Sequence, residues 1–276
     1  MGANPYRIED VKLYFQVRRV FNELRAKGIA EDAPLTPTDT SAFDNLHYLG
    51  TETVDEAMRA LALGPGRHVL DLGSGLGGPA RHMAAKGCRV TALELQLELN
   101  TTAARLTERC GLSRLVDHVA GDFMTHRAGA AEYDAVVSWL VFLHLADRPA
   151  AIGRILGALR PGGMVYVEDF FAKTPLAPGE WEALRREVWA HSIPGMEDWR
   201  AQFHDAGFVD VCPIDMTARW APFVKERLAQ YRGARARNVG VHGAEVVDAL
   251  DAFYATMDSL FDGGNLGGIR VIARRP

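Results

Sequence analysis

Apolar and polar positions follow two rhythms along this chain. Short aliphatic and β-branched runs recur at His68 to Leu72, Arg89 to Leu95, Val116 to Ala120, Ala135 to Leu140, Met164 to Asp169, Val209 to Asp215 and Ile269 to Ala273. Each reads as a strand. Between them, apolar residues spaced by three and four predict helices over Pro79 to Lys86, Leu97 to Cys110, Pro149 to Leu159, Gly179 to His191 and Met196 to Ala206. Strands alternating with helices imply a parallel sheet covered on both faces. Ligands of such sheets sit beyond the carboxyl ends of the strands, where strand order reverses, so chemistry is expected just after each strand.

Both ends depart from this alternation. Ile8, Val11, Tyr14, Phe15, Val17, Val20, Phe21 and Leu24 fall at helical spacing, and Lys27-Gly28 supplies a stop. A Pro- and Thr-rich loop and the segment Phe43 to Thr51 then lead to a second helix, Val54 to Leu63. Residues 1–63 read as a helical N-terminal lid in which Phe43, Leu46 and Tyr48 either staple the helix to the core or fold over a ligand. Helical patterns at Ala221 to Ala236 and Ala244 to Phe261 form an insert at about 218–265 within the main unit, residues 64–276. Its aromatics Trp220, Phe223, Tyr231, Phe253, Tyr254 and Phe261 are expected to pack, since a large helical insert must bury a face.

Candidate chemistry begins at the first strand. Val69-Leu70-Asp71-Leu72 runs into Gly73-Ser74-Gly75-Leu76-Gly77-Gly78 and then into a helical pattern. Glycines there admit positive φ and close approach of a bulky group to the main chain, while amides at a helix start favour an electronegative partner. Gly73, Gly75 and Gly78 also satisfy the GxGxxG spacing of dinucleotide sites. Three acids narrow the choice. Asp71 precedes the loop, where it can brace the backbone or accept from a ligand ammonium. Glu94 ends the second strand, where a carboxylate can accept both hydroxyls of a ribose. Asp122-Phe123 follows the third strand, where the acid can accept from an adenine amino group and the ring can stack on the base. Singly, such acids are ordinary turn and cap residues; in order after successive strands they point to a nucleoside.

Composition changes the picture mainly by exclusion. In 276 residues, 48% hydrophobic, with a formal net charge of −4, the basic residues are dispersed and leave no nucleic-acid footprint. The densest cluster, Arg232 to Arg237, has the spacing of a solvated helix face. Cys88, Cys110 and Cys212 lie far apart without a CxxC, so a disulfide framework and a zinc site are disfavoured and all are expected reduced and buried. No HxH, HxxxH or HExxH cluster occurs, and no metal is expected. The absence of a bilayer-length apolar run and of a signal-like N-terminus predicts a cytoplasmic protein without membrane contact. Nothing in the pattern decides oligomeric state, a homodimer included.

These motifs resemble the class I S-adenosylmethionine-dependent methyltransferases over Gly66 to about Phe170: Val69 to Gly75, Glu94, Gly121-Asp122-Phe123, Tyr133 to Ser138, and Leu159-Arg160-Pro161-Gly162-Gly163. The pairing of the last two strands is similar to that family's antiparallel edge. The resemblance implies a Rossmann-like, seven-stranded, mostly parallel sheet with an antiparallel last strand, and S-adenosyl-L-methionine as cofactor with S-adenosyl-L-homocysteine as product. It implies cofactor contacts from Tyr48, Asp71, Gly73, Ser74, Gly75, Glu94, Leu95, Gln96, Asp122, Phe123, Ser138 and Trp139. Gly73 to Arg81, Glu94-Leu95-Gln96 and Leu140 to Arg148 look most like the sarcosine/dimethylglycine and phosphoethanolamine N-methyltransferases, whereas the lid and insert do not match them closely.

The implied reaction is in-line displacement of a methyl from sulfonium to a small-molecule acceptor, foremost an amine nitrogen, which must be neutral to attack. His144, after the fourth strand, is the leading base, against a reading in which it only holds the loop. Glu168 and Asp169 end the fifth strand and face opposite sides; one could meet a cationic substrate. Trp139 could offer its face to a cation, and His47, Tyr48 and His191 complete the acceptor candidates. A C- or O-methyltransferase of secondary metabolism is the nearest alternative. A nicotinamide-dependent oxidoreductase would leave Asp71 and Asp122-Phe123 unexplained, and a catalytically silent nucleoside-binding protein is a further alternative.

Overall fold

The computed structural model describes residues 17–126 and 129–276. Its centre is one seven-stranded sheet: β1 (His68–Leu72), β2 (Arg89–Glu94), β3 (Val116–Ala120), β4 (Tyr133–Trp139), β5 (Leu159–Ala172), β6 (Val209–Asp215) and β7 (Leu266–Arg274). The order is β3-β2-β1-β4-β5-β7-β6. The first five strands pair in parallel, while β7 runs antiparallel between β5 and β6. This insertion separates the sheet from the all-parallel dinucleotide order 3-2-1-4-5-6. Leu72 of β1 sits opposite Leu93 of β2 and Ser138 of β4, so these strands deliver Gly73, Glu94 and Trp139 to one edge.

The helices are α1 (Arg18–Ala26), α2 (Pro37–Thr40), α3 (Thr51–Ala60), α4 (Gly78–Ala85), α5 (Leu97–Arg109), α6 (Arg148–Ala158), α7 (Pro178–Val188), α8 (Met196–Asp205), α9 (Thr217–Gly233), α10 (Arg235–His242) and α11 (Ala244–Asp262). One face of the sheet packs on α6 and α8 through Ile152, Ile155, Trp199 and Phe203. The other packs on α3 and α4 through Val54, Ala57, Ala80 and Met83. A further core joins Tyr48 and Phe170 to Leu184 and Val188 of α7, Trp220 and Val224 of α9, and Leu250 and Phe253 of α11.

Several boundaries differ from the pattern-based ones for local reasons. β4 stops at Trp139 because Leu140 turns to φ 56°, and α3 stops before Leu63 because Ala62 turns to φ 48°. β5 runs on to Ala172 because β7 continues to pair with it as far as Leu266. The pattern at Ala221 to Ala236 resolves into α9 and α10, broken at Ala234. Of the N-terminal helix expected over Ile8 to Gly28, Arg18–Ala26 is helical, and Ile8 to Gln16 lie outside the described residues. Arg232, Arg235 and Arg237 are surface residues engaged with Asp251, Asp248 and Glu23. Contrary to the buried positions expected of them, Cys110 is partly exposed and Cys212 is exposed on edge strand β6, with which, among the described residues, only β7 pairs. Among the described residues no helix is long and apolar enough to cross a membrane.

Candidate active site

The glycine loop is shaped by a steric demand. Gly73, Gly75 and Gly77 have φ of 71°, 54° and 73°, a region that L side chains enter only with strain. A Cβ on Gly73 would lie 2.3 Å from Val141 Cγ2, and one on Gly78 would lie 2.5 Å from Asn45 Oδ1 and 2.8 Å from Asp44 Oδ1. The loop is therefore clamped between the turn after β4 and the segment before α3.

A cavity of about 260 Å³ opens over this loop. Its walls include Asp71, Gly73, Ser74, Gly75, Glu94, Leu95, Gln96, Asp122, Phe123 and Trp139, so ten of the twelve expected cofactor contacts converge on it. Asp71 is buried and its Oδ2 has no hydrogen-bond partner; Ser74 Oγ is also buried without one. Burial, and secondarily the charge of Glu94, pushes the Asp71 carboxyl up to about 7. Glu94 accepts from Gly75 N and Gln96 N, each at 2.8 Å, and burial raises its pKa despite these bonds. Asp122 Oδ1 accepts from Met124 N at 2.8 Å, and Phe123 is buried with the Arg154 guanidinium 5.5 Å from its ring centroid.

The other two fall elsewhere. Ser138 is fully buried in the sheet, and its hydroxyl donates to the Leu72 carbonyl at 3.0 Å, tying β4 to β1. Tyr48 packs at 4.6 Å from Trp220 and near Phe170, Phe223 and Phe261, with Arg227 over its ring. An aromatic ring beside several others in an apolar core buries more surface there than at a cavity edge.

Of the acceptor-side candidates, His47, Trp139 and His144 line the cavity. His47 stacks on Trp139 with ring centroids 5.4 Å apart. His144, in a 3₁₀ turn after β4, is held at about 4 by burial, with its Nδ1 3.4 Å from the Trp189 carbonyl. His191 does not reach the cavity; its amide donates to Leu143 O at 2.7 Å and its ring meets the edge of Trp189.

Glu168 and Asp169 face opposite sides of β5, as neighbours on a strand must, but neither lines the cavity. Glu168 Oε1 accepts from Thr53 Oγ1 and Tyr166 OH, each at 2.7 Å, and from Arg270 at 2.6 Å. Asp169 Oδ2 accepts from Leu143 N at 3.2 Å and Oδ1 from Phe170 N at 2.7 Å, so it braces the turn that carries His144. Burial raises Asp169 to about 6. Both Asp169 oxygens and Glu168 Oε1 are thus held by donors, as a buried carboxylate requires, while Glu168 Oε2 is buried without a hydrogen-bond partner.

Leu46, expected either to staple the second helix or to fold over a ligand, lines the cavity, as do Leu140 and Val141 of the motif after β4; Asp44 and Trp189 line it too, although the sequence pattern did not single them out. Trp189 arrives by an αL cap, φ 50° and ψ 42°, at the end of α7. Such a cap on a tryptophan leaves no mark in hydrophobic periodicity. Asp44 is fixed by Arg81, whose Nη2 lies 2.6 Å from its Oδ2.

The family profile described as Methyltransferase domain matches residues 43–212, and the chain belongs to this family. The phosphoethanolamine N-methyltransferase 1 of Arabidopsis thaliana is 29% identical over 179 residues, covering 65% of this chain and 36% of the relative. The chain thus spans about a third of that relative's length. The sarcosine/dimethylglycine N-methyltransferase of Halorhodospira halochloris is 27% identical over 220 residues, covering 77% of this chain and 76% of the relative. Among solved structures, phosphoethanolamine N-methyltransferase 2 of Haemonchus contortus, in complex with phosphomonomethylethanolamine and S-adenosylhomocysteine, superposes with a TM-score of 0.81 at 18% identity. That superposition covers 95% of this chain and 58% of the other.

Proposed function

We infer that the protein transfers a methyl group from S-adenosyl-L-methionine to a nucleophilic atom of a small molecule, foremost a nitrogen. The observation that carries this reading is the convergence of the glycine loop, the orphaned Asp71 Oδ2 and the carboxylates of Glu94 and Asp122 on one cavity. The donor set fits the cofactor: Asp71 suits an ammonium, Glu94 a ribose diol through lone pairs left by its backbone bonds, and Asp122 an exocyclic amine. Bound there, the cofactor supplies an electrophilic methyl on a positively charged sulfur.

The residues of this chain have three tasks. Gly73, Gly75 and Gly77 let a ligand approach the main chain. Leu46, Val141 and Leu145 keep water from the cavity, and exclusion of water with alignment of nucleophile and leaving group supplies most of the acceleration such a displacement needs. His144, neutral at pH 7 through burial, stands among the acceptor-side groups. Of the N-terminal lid, whose residues 1–16 lie outside the described residues, 17–63 act over the cavity, which is supported by Asp44, Leu46 and His47 lining it, and α9 and α11 act as a cap buttressing that lid at Tyr48. The two N-methyltransferase relatives support nitrogen as the acceptor atom.

Calorimetry tests the reading. S-adenosylmethionine or its demethylated product should bind one to one while NAD gives no heat; binding of NAD alone would overturn it.

A further inference from the structure

His47 has its tautomer imposed by the chain. Its Nδ1 lies 3.0 Å from the Tyr48 carbonyl, and a carbonyl can only accept, so Nδ1 carries the hydrogen. Nε2 is then a lone-pair site. It is buried, it has no hydrogen-bond partner, and the side chain that bears it lines the cavity and stacks on Trp139 at the end of β4. Burial lowers the pKa of this ring. The bond to Tyr48 O and the charges of Glu168 and Asp44 oppose that, and Arg227 adds to it. Two further lining residues, Trp139 and Trp189, each carry a buried indole nitrogen without a hydrogen-bond partner. Both can only donate.

The charge on the wall has one sign. Asp44, Asp71, Glu94 and Asp122 line the cavity, and among the described residues no lysine or arginine does. Arg81 is turned to Asp44, and Arg148 lies against the Trp199 ring at 3.8 Å. With Asp71, Glu94 and Asp122 given to the cofactor and Asp44 paired with Arg81, a phosphate or carboxylate on the acceptor would find no lysine or arginine among the described lining residues, and burying it without a counter-charge costs several kcal/mol. An uncharged oxygen or nitrogen would instead satisfy the indole donors, and a flat apolar body would lie against the rings.

We propose that His47 is the residue that takes the acceptor's proton, and that the acceptor is an uncharged, flat molecule presenting O–H or N–H, not an amine bearing phosphate or carboxylate. This rests on the methyl-transfer reading above. The acceptor heteroatom gives its lone pair to the methyl carbon as the carbon–sulfur bond breaks. The bonding pair stays on sulfur, which becomes a neutral thioether. The hydrogen of the heteroatom passes to His47 Nε2 and from there to solvent when product leaves. The Tyr48 carbonyl stabilises the imidazolium through Nδ1.

Two measurements on the full chain test this. In the protein labelled with ¹⁵N-histidine, the resonances lost in His47→Asn should report a neutral ring protonated at Nδ1 at pH 7; a ring protonated at Nε2, or an imidazolium, overturns the proposal. In a transfer assay with methyl-labelled S-adenosylmethionine, phenols and anilines are offered beside phosphoethanolamine and sarcosine. Label should reach an uncharged acceptor, and His47→Asn should lower kcat roughly a hundredfold, within the range for general-base removal. KM and cofactor affinity should be unchanged, and added imidazole should restore part of the rate. His47→Gln provides the same comparison where the Asn variant does not fold. Full kcat in these variants, transfer only to the anionic amines, or cofactor binding with no transfer to any acceptor overturns the assignment. Failure of the cofactor to bind the wild-type chain overturns the methyl-transfer reading as well.

Discussion

The Asp44 carboxylate and the Arg81 guanidinium meet at 2.6 Å with side-chain exposures of 1% and 0%. Asp44 belongs to the segment before α3 and Arg81 to α4, the helix that follows the glycine loop, so the pair fastens the proposed lid to that loop. Arg81 Nη1 also donates to Ala103 O and Thr107 Oγ1 on α5. Removing one member leaves the other charge buried, which costs about 3–5 kcal/mol. Asp44→Asn should lower stability by that order in urea unfolding and weaken cofactor binding. Asp44→Asn combined with Arg81→Met should recover much of the stability, since the stranded charge is gone. A double variant no more stable than the single would show that the pair matters through geometry alone.

Gly73 is constrained twice, by φ 71° and by Val141 Cγ2 at 2.3 Å from a would-be Cβ. Gly73→Ala should cost about 1–3 kcal/mol of stability from the overpacking alone and reduce cofactor affinity further. Adding Val141→Ala relieves the clash but not the backbone strain, so thermal denaturation of the double variant should show partial recovery. Complete recovery would mean that positive φ carries no cost at this position.

The sheet, its parallel core and the convergence of the glycine loop, Glu94 and Asp122 on one cavity were legible in the sequence because each depends on local pattern. Val69 to Gly75 marks a strand and turn by itself, and Glu94 and Asp122 stand at strand ends that periodicity locates. The other side of the cavity was legible only in part, with His47, Trp139 and His144 reaching it and Tyr48 and His191 not, because its residues are chosen by tertiary register. Tyr48 and His47 are adjacent, yet one faces the aromatic core and the other the cavity. Glu168 looked chemical from its strand-end position, but Arg270 on β7, its register partner across the antiparallel pair, holds its Oε1. Trp189 enters the cavity through an αL cap that no spacing rule marks.

Glu168 supplies the sharpest contrast with a catalytic role. Its Oε1 gathers Thr53, Tyr166 and Arg270, and Arg270 in turn reaches Glu56, which also holds Arg219 at 2.9 Å. Glu168→Gln removes the buried charge facing Arg270 and should cost about 3 kcal/mol, the low end for a broken buried pair because Glu56 remains. Cofactor affinity by calorimetry should be unaltered. A stable variant with impaired methyl transfer would return Glu168 to the chemistry.

Asp71 links the proposed cofactor site to pH. Its carboxyl is pushed up to about 7 from 3.8, first by burial and then by Glu94. The folded state therefore holds a proton that the unfolded chain releases near pH 4. Stability from this group is complete below that pH, declines as pH rises towards 7, and is level above it. The difference in unfolding free energy between wild type and Asp71→Asn should fall by about 4 kcal/mol from pH 4 to pH 8, given 1.36 kcal/mol per pKa unit. A bound ligand ammonium beside Asp71 favours the ionised carboxylate, so saturating S-adenosylmethionine should flatten that difference and its binding at pH 6 should release protons. Urea unfolding at a series of pH values, with and without cofactor, measures the slope. Parallel curves for the two proteins would show that Asp71 is ionised in the folded chain throughout, and its orphaned Oδ2 would then need another partner than the cofactor.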